Sequence, residues 1–79
     1  MKIIVSQQDR EIRVVFQNKK LEKKFIIAKA DEFLECVDKF IRKNKIRTEA
    51  FDNAVLEFHN VGLLTERTVR VIIQGLSFS

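Results

Sequence analysis

The sequence predicts a small α/β domain, an antiparallel strand meander followed by a largely helical half, and three patterns carry that prediction. Residues 11–17 alternate, with Ile12, Val14 and Phe16 on one side and Glu11, Arg13 and Val15 on the other. This is the period of a half-buried strand rich in β-branched residues. Phe33, Leu34, Val37, Phe40 and Ile41 fall on one face of a helix, as do Val69, Ile72, Ile73 and Leu76.

The elements follow in order. Ile3-Ile4-Val5 is a short apolar run closed by the polar cluster Ser6-Gln7-Gln8-Asp9-Arg10, which predicts a first strand and a turn. The alternating segment is the second strand. Asn18-Lys19-Lys20 reads as a turn, with Asn18 the residue that best tolerates a positive φ, and Phe25-Ile26-Ile27 forms a third strand. Asp31 is placed to cap the first helix, with Glu32 and Glu35 near its start and Arg42, Lys43 and Lys45 near its end, as the helix dipole favours.

Residues 48–61 admit two readings. Thr48 can open a helix with Phe51, Ala54, Val55 and Phe58 on one face, ended by Gly62, which gives β-β-β-α-α-α. Alternatively Asn53 breaks the chain and Ala54-Val55-Leu56-Glu57-Phe58 is a buried strand, which gives β-β-β-α-β-α. Thr65 then caps the last helix.

Seventy-nine residues make one domain, spanning 1–79. A domain this short buries only about 60–65% of the surface its unfolded chain exposes. Such domains usually carry a staple: a disulfide, a metal or a partner chain. Cys36 is the only cysteine and His59 the only histidine, so neither an intrachain disulfide nor a zinc cluster is expected, and a partner chain is the staple left. An apolar content of 46% suits a folded core. No apolar run approaches the ~18 residues of a membrane span. The start Met1-Lys2-Ile3-Ile4-Val5 is too short for a signal peptide, so a cytoplasmic protein is expected.

The order of elements, with Ala54-Val55-Leu56-Glu57, Gly62 and Leu64-Thr65-Glu66-Arg67 opening a helix, resembles the N-terminal half of the bacterial TsaB (YeaZ-type) proteins. These are non-catalytic partners in making threonylcarbamoyladenosine on tRNA. The helix Asp38–Ile46, the loop Gly62-Leu63-Leu64-Thr65-Glu66-Arg67 and the ending Gly75-Leu76-Ser77-Phe78 match that family's helix, glycine–arginine loop and apolar helix end. The first strand departs from it, ending Ser6-Gln7-Gln8 where the family has Asp-Thr-Ser, and one residue is missing before Arg67. The resemblance implies a ribonuclease-H-like, actin-ATPase-like half domain with residues 53–59 as a central strand. It also implies a role in tRNA processing and docking through the helices on a TsaD-like subunit.

Chemistry-bearing residues are sparse. Metal-dependent ribonuclease-H-like nucleases need a carboxylate on the first strand, and Lys2 to Ser6 offers none; Asp9 and Glu11 sit at a turn and an exposed strand start. Phosphate loops need several glycines, and the chain has two, Gly62 and Gly75; Gly62 with Arg67 reads as a turn glycine beside a solvated arginine. Cys36 and His59 are the only nucleophile–base pair on offer, with Cys36 beside an apolar stripe. No catalytic residue, cofactor or metal is therefore expected.

Two binding surfaces remain. The apolar helix faces exceed what one small sheet needs, which nominates Phe33, Val37, Phe40, Val69, Ile72, Ile73 and Leu76, with Leu63, Leu64, Val71 and Phe78 adding to them, as an interface for a TsaD-like subunit or a second copy. The net charge is +4, and Lys19, Lys20, Lys23 and Lys24 cluster near the hairpin, with Arg42, Lys43, Lys45 and Arg47 after the helix. Lys19, Lys20, Arg42, Lys43 and Arg67 are the expected contacts if the partner is a nucleic acid instead.

Overall fold

A computed structural model describes residues 1–77. Alternation fixes the first three strands, β1 (Lys2–Gln8), β2 (Glu11–Asn18) and β3 (Leu21–Ile27), which pair antiparallel in sequence order. A single 3-10 turn at Ala30–Glu32 leads into α1 (Phe33–Asn44), and a second at Thr48–Phe51 leads into β4 (Val55–His59). The chain closes with α2 (Leu63–Ser77). The order is β-β-β-α-β-α, so residues 55–59 are the strand of the two readings above.

β4 lies parallel to β1, with Lys2 opposite Val55 and Ser6 opposite His59, and the sheet order is β3-β2-β1-β4. β4 is thus an edge strand, not the central strand that the resemblance implies; β1 and β2 are central. Ile3, Val5, Ile12, Val14 and Phe16 point to one face and are buried with Phe33, Cys36, Val37 and Phe40 of α1, Phe51, and Val69 and Ile73 of α2 in one cluster. Both helices cover this face. The alternate residues, among them Ile4, Arg13, Val15, Lys24, Ile26, Glu57 and His59, form a second face that no described element covers.

The ring of Phe16 centres the core. It stacks on Phe40 at 4.4 Å and 9°, stacks more loosely on Phe33 at 6.3 Å, and meets Phe25 edge-on at 5.7 Å. Fully burying a side chain of this size contributes about 1.5–3 kcal/mol, so these rings anchor α1 to the meander. Among the described residues every buried side-chain nitrogen and oxygen has a partner.

Several local expectations are corrected. The left-handed residue of the β2–β3 turn is Lys19, φ 58°, rather than Asn18. Asp31 does not cap α1: it lies in the preceding 3-10 turn, while the Ala28 N–H donates to the Glu32 carboxylate at 3.2 Å. α1 ends at Lys45, φ 52°, whose N–H and that of Ile46 both turn back to the Ile41 carbonyl. α2 starts two residues before Thr65, and the Gly62 carbonyl accepts its first bond from Glu66 N–H at 3.0 Å. On α1, Cys36 is buried and Leu34 exposed, so the inward face is rotated slightly from the predicted stripe.

Candidate interaction surfaces

The nucleophile–base pair does not exist in three dimensions. Cys36 is buried in the helical layer beside Phe25 and Ile27, whereas His59 stands on the opposite face of the sheet at the far edge. Burial pushes the Cys36 thiol up to about 12, against a smaller lowering by Lys39. A thiol so shifted carries almost no thiolate at neutral pH and is a small hydrophobe.

His59 instead joins a cluster on the uncovered face. Its Nε2 and the Lys2 Nζ each lie 3.5 Å from Glu57 Oε2. Hydrogen bonding to His59 lowers the Glu57 carboxyl below its ordinary value, with desolvation opposing and Lys2 assisting. Ser6 sits opposite His59 in the ladder, yet no hydrogen bond joins them, so the three do not form a nucleophile relay. The other acids are as expected for solvated groups: Asp9 is at the first hairpin turn, and Glu11 pairs with Arg13 at 3.9 Å. Among the described residues no three acids, histidines or cysteines gather in a way that could hold a metal.

The nominated helix interface is corrected. Phe33, Val37, Phe40, Val69 and Ile73 are core residues, closed off within one chain, and Ile72 and Leu76 are partly buried against that core. The sheet hides them because both helices lie on the same face and Phe51, the last residue of the second 3-10 turn, packs beside α2 in the same core. The exposed apolar surface of the helices lies on their other side. Leu64 is 78% exposed and Val71 66%, one above the other at a spacing of seven residues, with Thr68 and Gly75 on the same line. Leu63 and, on α1, Leu34 are also exposed. Phe78 lies outside the described residues. The seven-residue spacing of Leu64 and Val71 was visible in the sequence as residues beside the main stripe.

The basic residues divide. Lys19 and Lys20 sit at the β2–β3 turn, and the stacking of Phe40 on Phe16, two residues before Asn18, returns the C-terminal end of α1 to the same end of the molecule. Lys19, Lys20, Arg42, Lys43, Lys45 and Arg47 are all exposed there, although Arg42 also pairs with Asp38 at 3.2 Å. Arg67 is exposed in the first half of α2, which begins after β4 has run to the other end of the sheet. It is not part of the basic group. Arg70, one turn on, lies 5.1 Å over the Phe58 ring and pairs with Glu66 at 3.5 Å.

Ser6, Arg13, Val15, Lys24 and Ile26 line a shallow depression on the uncovered sheet face. Among the described residues no helix is long and apolar enough to cross a membrane. No protein-family model, curated protein or solved structure matches the chain.

Proposed function

We propose that this chain is a non-catalytic interaction domain that docks another protein on the outer ridge of α2. The observation that carries the reading is the line Leu64–Val71, large apolar side chains turned to solvent directly opposite the buried line Val69–Ile73. Core packing already accounts for the buried line; it leaves the outer one unexplained. The inert Cys36 and the absence of a metal cluster among the described residues are compatible with a protein that binds rather than catalyses.

The resemblance supplies the class of partner, a TsaD-like subunit, and with it a scaffold role in threonylcarbamoyladenosine formation on tRNA, in the cytoplasm. The order β-β-β-α-β-α with β4 parallel to β1 is compatible with the half domain that the resemblance implies, although β4 stands at the sheet edge, and the partner and the role rest on the resemblance alone. The test is retention of the purified chain on an immobilised TsaD-type subunit. Wild type is retained and Leu64→Glu/Val71→Glu is not, while both melt at the same temperature because neither side chain is in the core. A wild type that passes through unretained, or a double variant that binds equally, overturns the reading.

One observation favours a second reading. The convergence of Lys19, Lys20, Arg42 and Lys43 at one end makes a basic patch of the kind that contacts phosphate backbones. The corresponding function is a small nucleic-acid-binding module. Its test is a mobility shift over a salt series, where true phosphate contacts give a steep linear loss of log affinity with log salt. Lys19→Glu/Lys43→Glu flattens that slope; binding that ignores salt rejects it.

A further inference from the structure

The two edges of the sheet are built differently. β3 presents Glu22-Lys23-Lys24 along its length, the charged guard that discourages another strand from pairing. β4, Val55-Leu56-Glu57-Phe58-His59, has no lysine, arginine, proline or glycine, and its register against β1 runs without a bulge. Its one carboxylate is drawn back over the sheet, with Glu57 Oε2 3.5 Å from the Lys2 Nζ of β1. The Val55 N–H donates to the Met1 carbonyl at 2.9 Å. By the alternation of a parallel ladder, residues 55, 57 and 59 then turn their backbone groups to β1, while Leu56 and Phe58 turn theirs outward. No loop or helix among the described residues bonds to those outward groups.

We propose that β4 is a self-association edge, where β4 of a second copy adds antiparallel and joins the two sheets into one of eight strands. The choice of a second copy follows from charge. A two-fold register centred on Glu57 sets that carboxylate directly against its own symmetry mate, which is destabilising. A register centred on Leu56 sets Glu57 against Val55 and makes no charged pair. Centred on Phe58, the strands exchange N–H···O=C bonds between the two Phe58 residues, and Glu57 falls opposite His59 of the second copy, twice over. The strand is therefore complementary to itself in one register. This inference is independent of the preceding reading, because the outer ridge of α2 and the β4 edge are different surfaces.

The experiment is sedimentation velocity on the full chain from about 10 μM to 1 mM, paired with amide hydrogen exchange at Leu56 and Phe58. A dimer of twice 9.3 kDa forms as concentration rises, and the Phe58 amide slows in step with it, while Leu56, which this register sets opposite Asn60 at φ 56° beyond the end of β4, keeps its exchange rate. His59→Glu weakens the dimer about tenfold by replacing two carboxylate–imidazole pairs with two carboxylate–carboxylate pairs, and adding Glu57→Lys recovers it. His59 is exposed and Glu57 half-buried on the uncovered sheet face, outside the core, so the variants fold, as a far-ultraviolet spectrum verifies. A monomer throughout the range overturns the proposal. So does a dimer whose Phe58 amide exchanges as fast as in dilute solution, which places the contact on α2 or on the open sheet face. Failure of the double variant to recover overturns the register and the self-pairing with it.

Discussion

At the scale of single residues, conformation and protonation make separate claims. Lys45 ends α1 in the left-handed region at φ 52°, a conformation that costs a side-chain-bearing residue about 1–2 kcal/mol. Lys45→Gly removes that cost at the position where glycine is the usual helix stop, less the extra freedom glycine has in the unfolded chain. The expected gain is about 0.5–1 kcal/mol in urea denaturation. Cys36 makes the opposite kind of claim. Its thiol is raised from 9.0 to about 12 by burial, so the folded state holds its proton where the unfolded state gives it up. The resulting stability is whole below pH 9 and is lost as pH rises from 9 toward 12, at no more than about 1.4 kcal/mol per pH unit. Denaturation midpoints at pH 8 and pH 10.5 check this, and Cys36→Ala, whatever its cavity costs, flattens the difference between them. A maleimide reagent at pH 7 labels the thiol only as fast as the domain opens.

At the scale of elements, the sequence was most legible where one period dominated. β2 was plain because Ile12, Val14 and Phe16 face the core and Glu11 and Arg13 do not. α1 was plain in extent but rotated, because a buried cysteine carries less apolar weight in a pattern than an exposed leucine. The beginning of β3 was invisible: Leu21-Glu22-Lys23-Lys24 has the composition of a loop because an edge strand is guarded by charge. β4 has five residues, and Phe51, Ala54, Val55 and Phe58 satisfy a helical period as well as a strand, so the residues alone left it open. The interface expectation failed for a related reason. An apolar stripe in a sequence marks what is buried, and here one chain does the burying, whereas Leu64 and Val71 became visible as surface only once the core was placed. The element most dependent on packing is α1. Phe40→Ala removes the ring stacked at 4.4 Å on Phe16 and costs about 3–5 kcal/mol. That is comparable with the whole stability of a small domain, about 5 kcal/mol, so the variant loses its cooperative thermal transition in circular dichroism.

At the scale of the whole molecule, the two-layer arrangement decides where stability can still be gained. One sheet face is covered by two helices and one is not, one sheet edge is guarded and one is not, and neither a disulfide nor a metal cluster braces the described residues. The single core of 79 residues buries a smaller share of its surface than a larger domain does, so association is an available route to further stability. Association that involves only the folded state must raise the melting temperature with concentration. For a dimer unfolding to two chains, each tenfold rise in concentration above the dissociation constant adds half of RT ln 10, about 0.7 kcal/mol per chain. At about 4–8 °C per kcal/mol for a domain of this length, the melting temperature climbs by about 3–6 °C per decade. Calorimetry on wild type and His59→Glu at matched concentrations reads it directly. Wild type climbs and His59→Glu begins to climb only about a decade higher, because its dissociation constant is larger. A melting temperature flat across the series in wild type means that the unguarded strand stays unpaired and the domain stands on its single core.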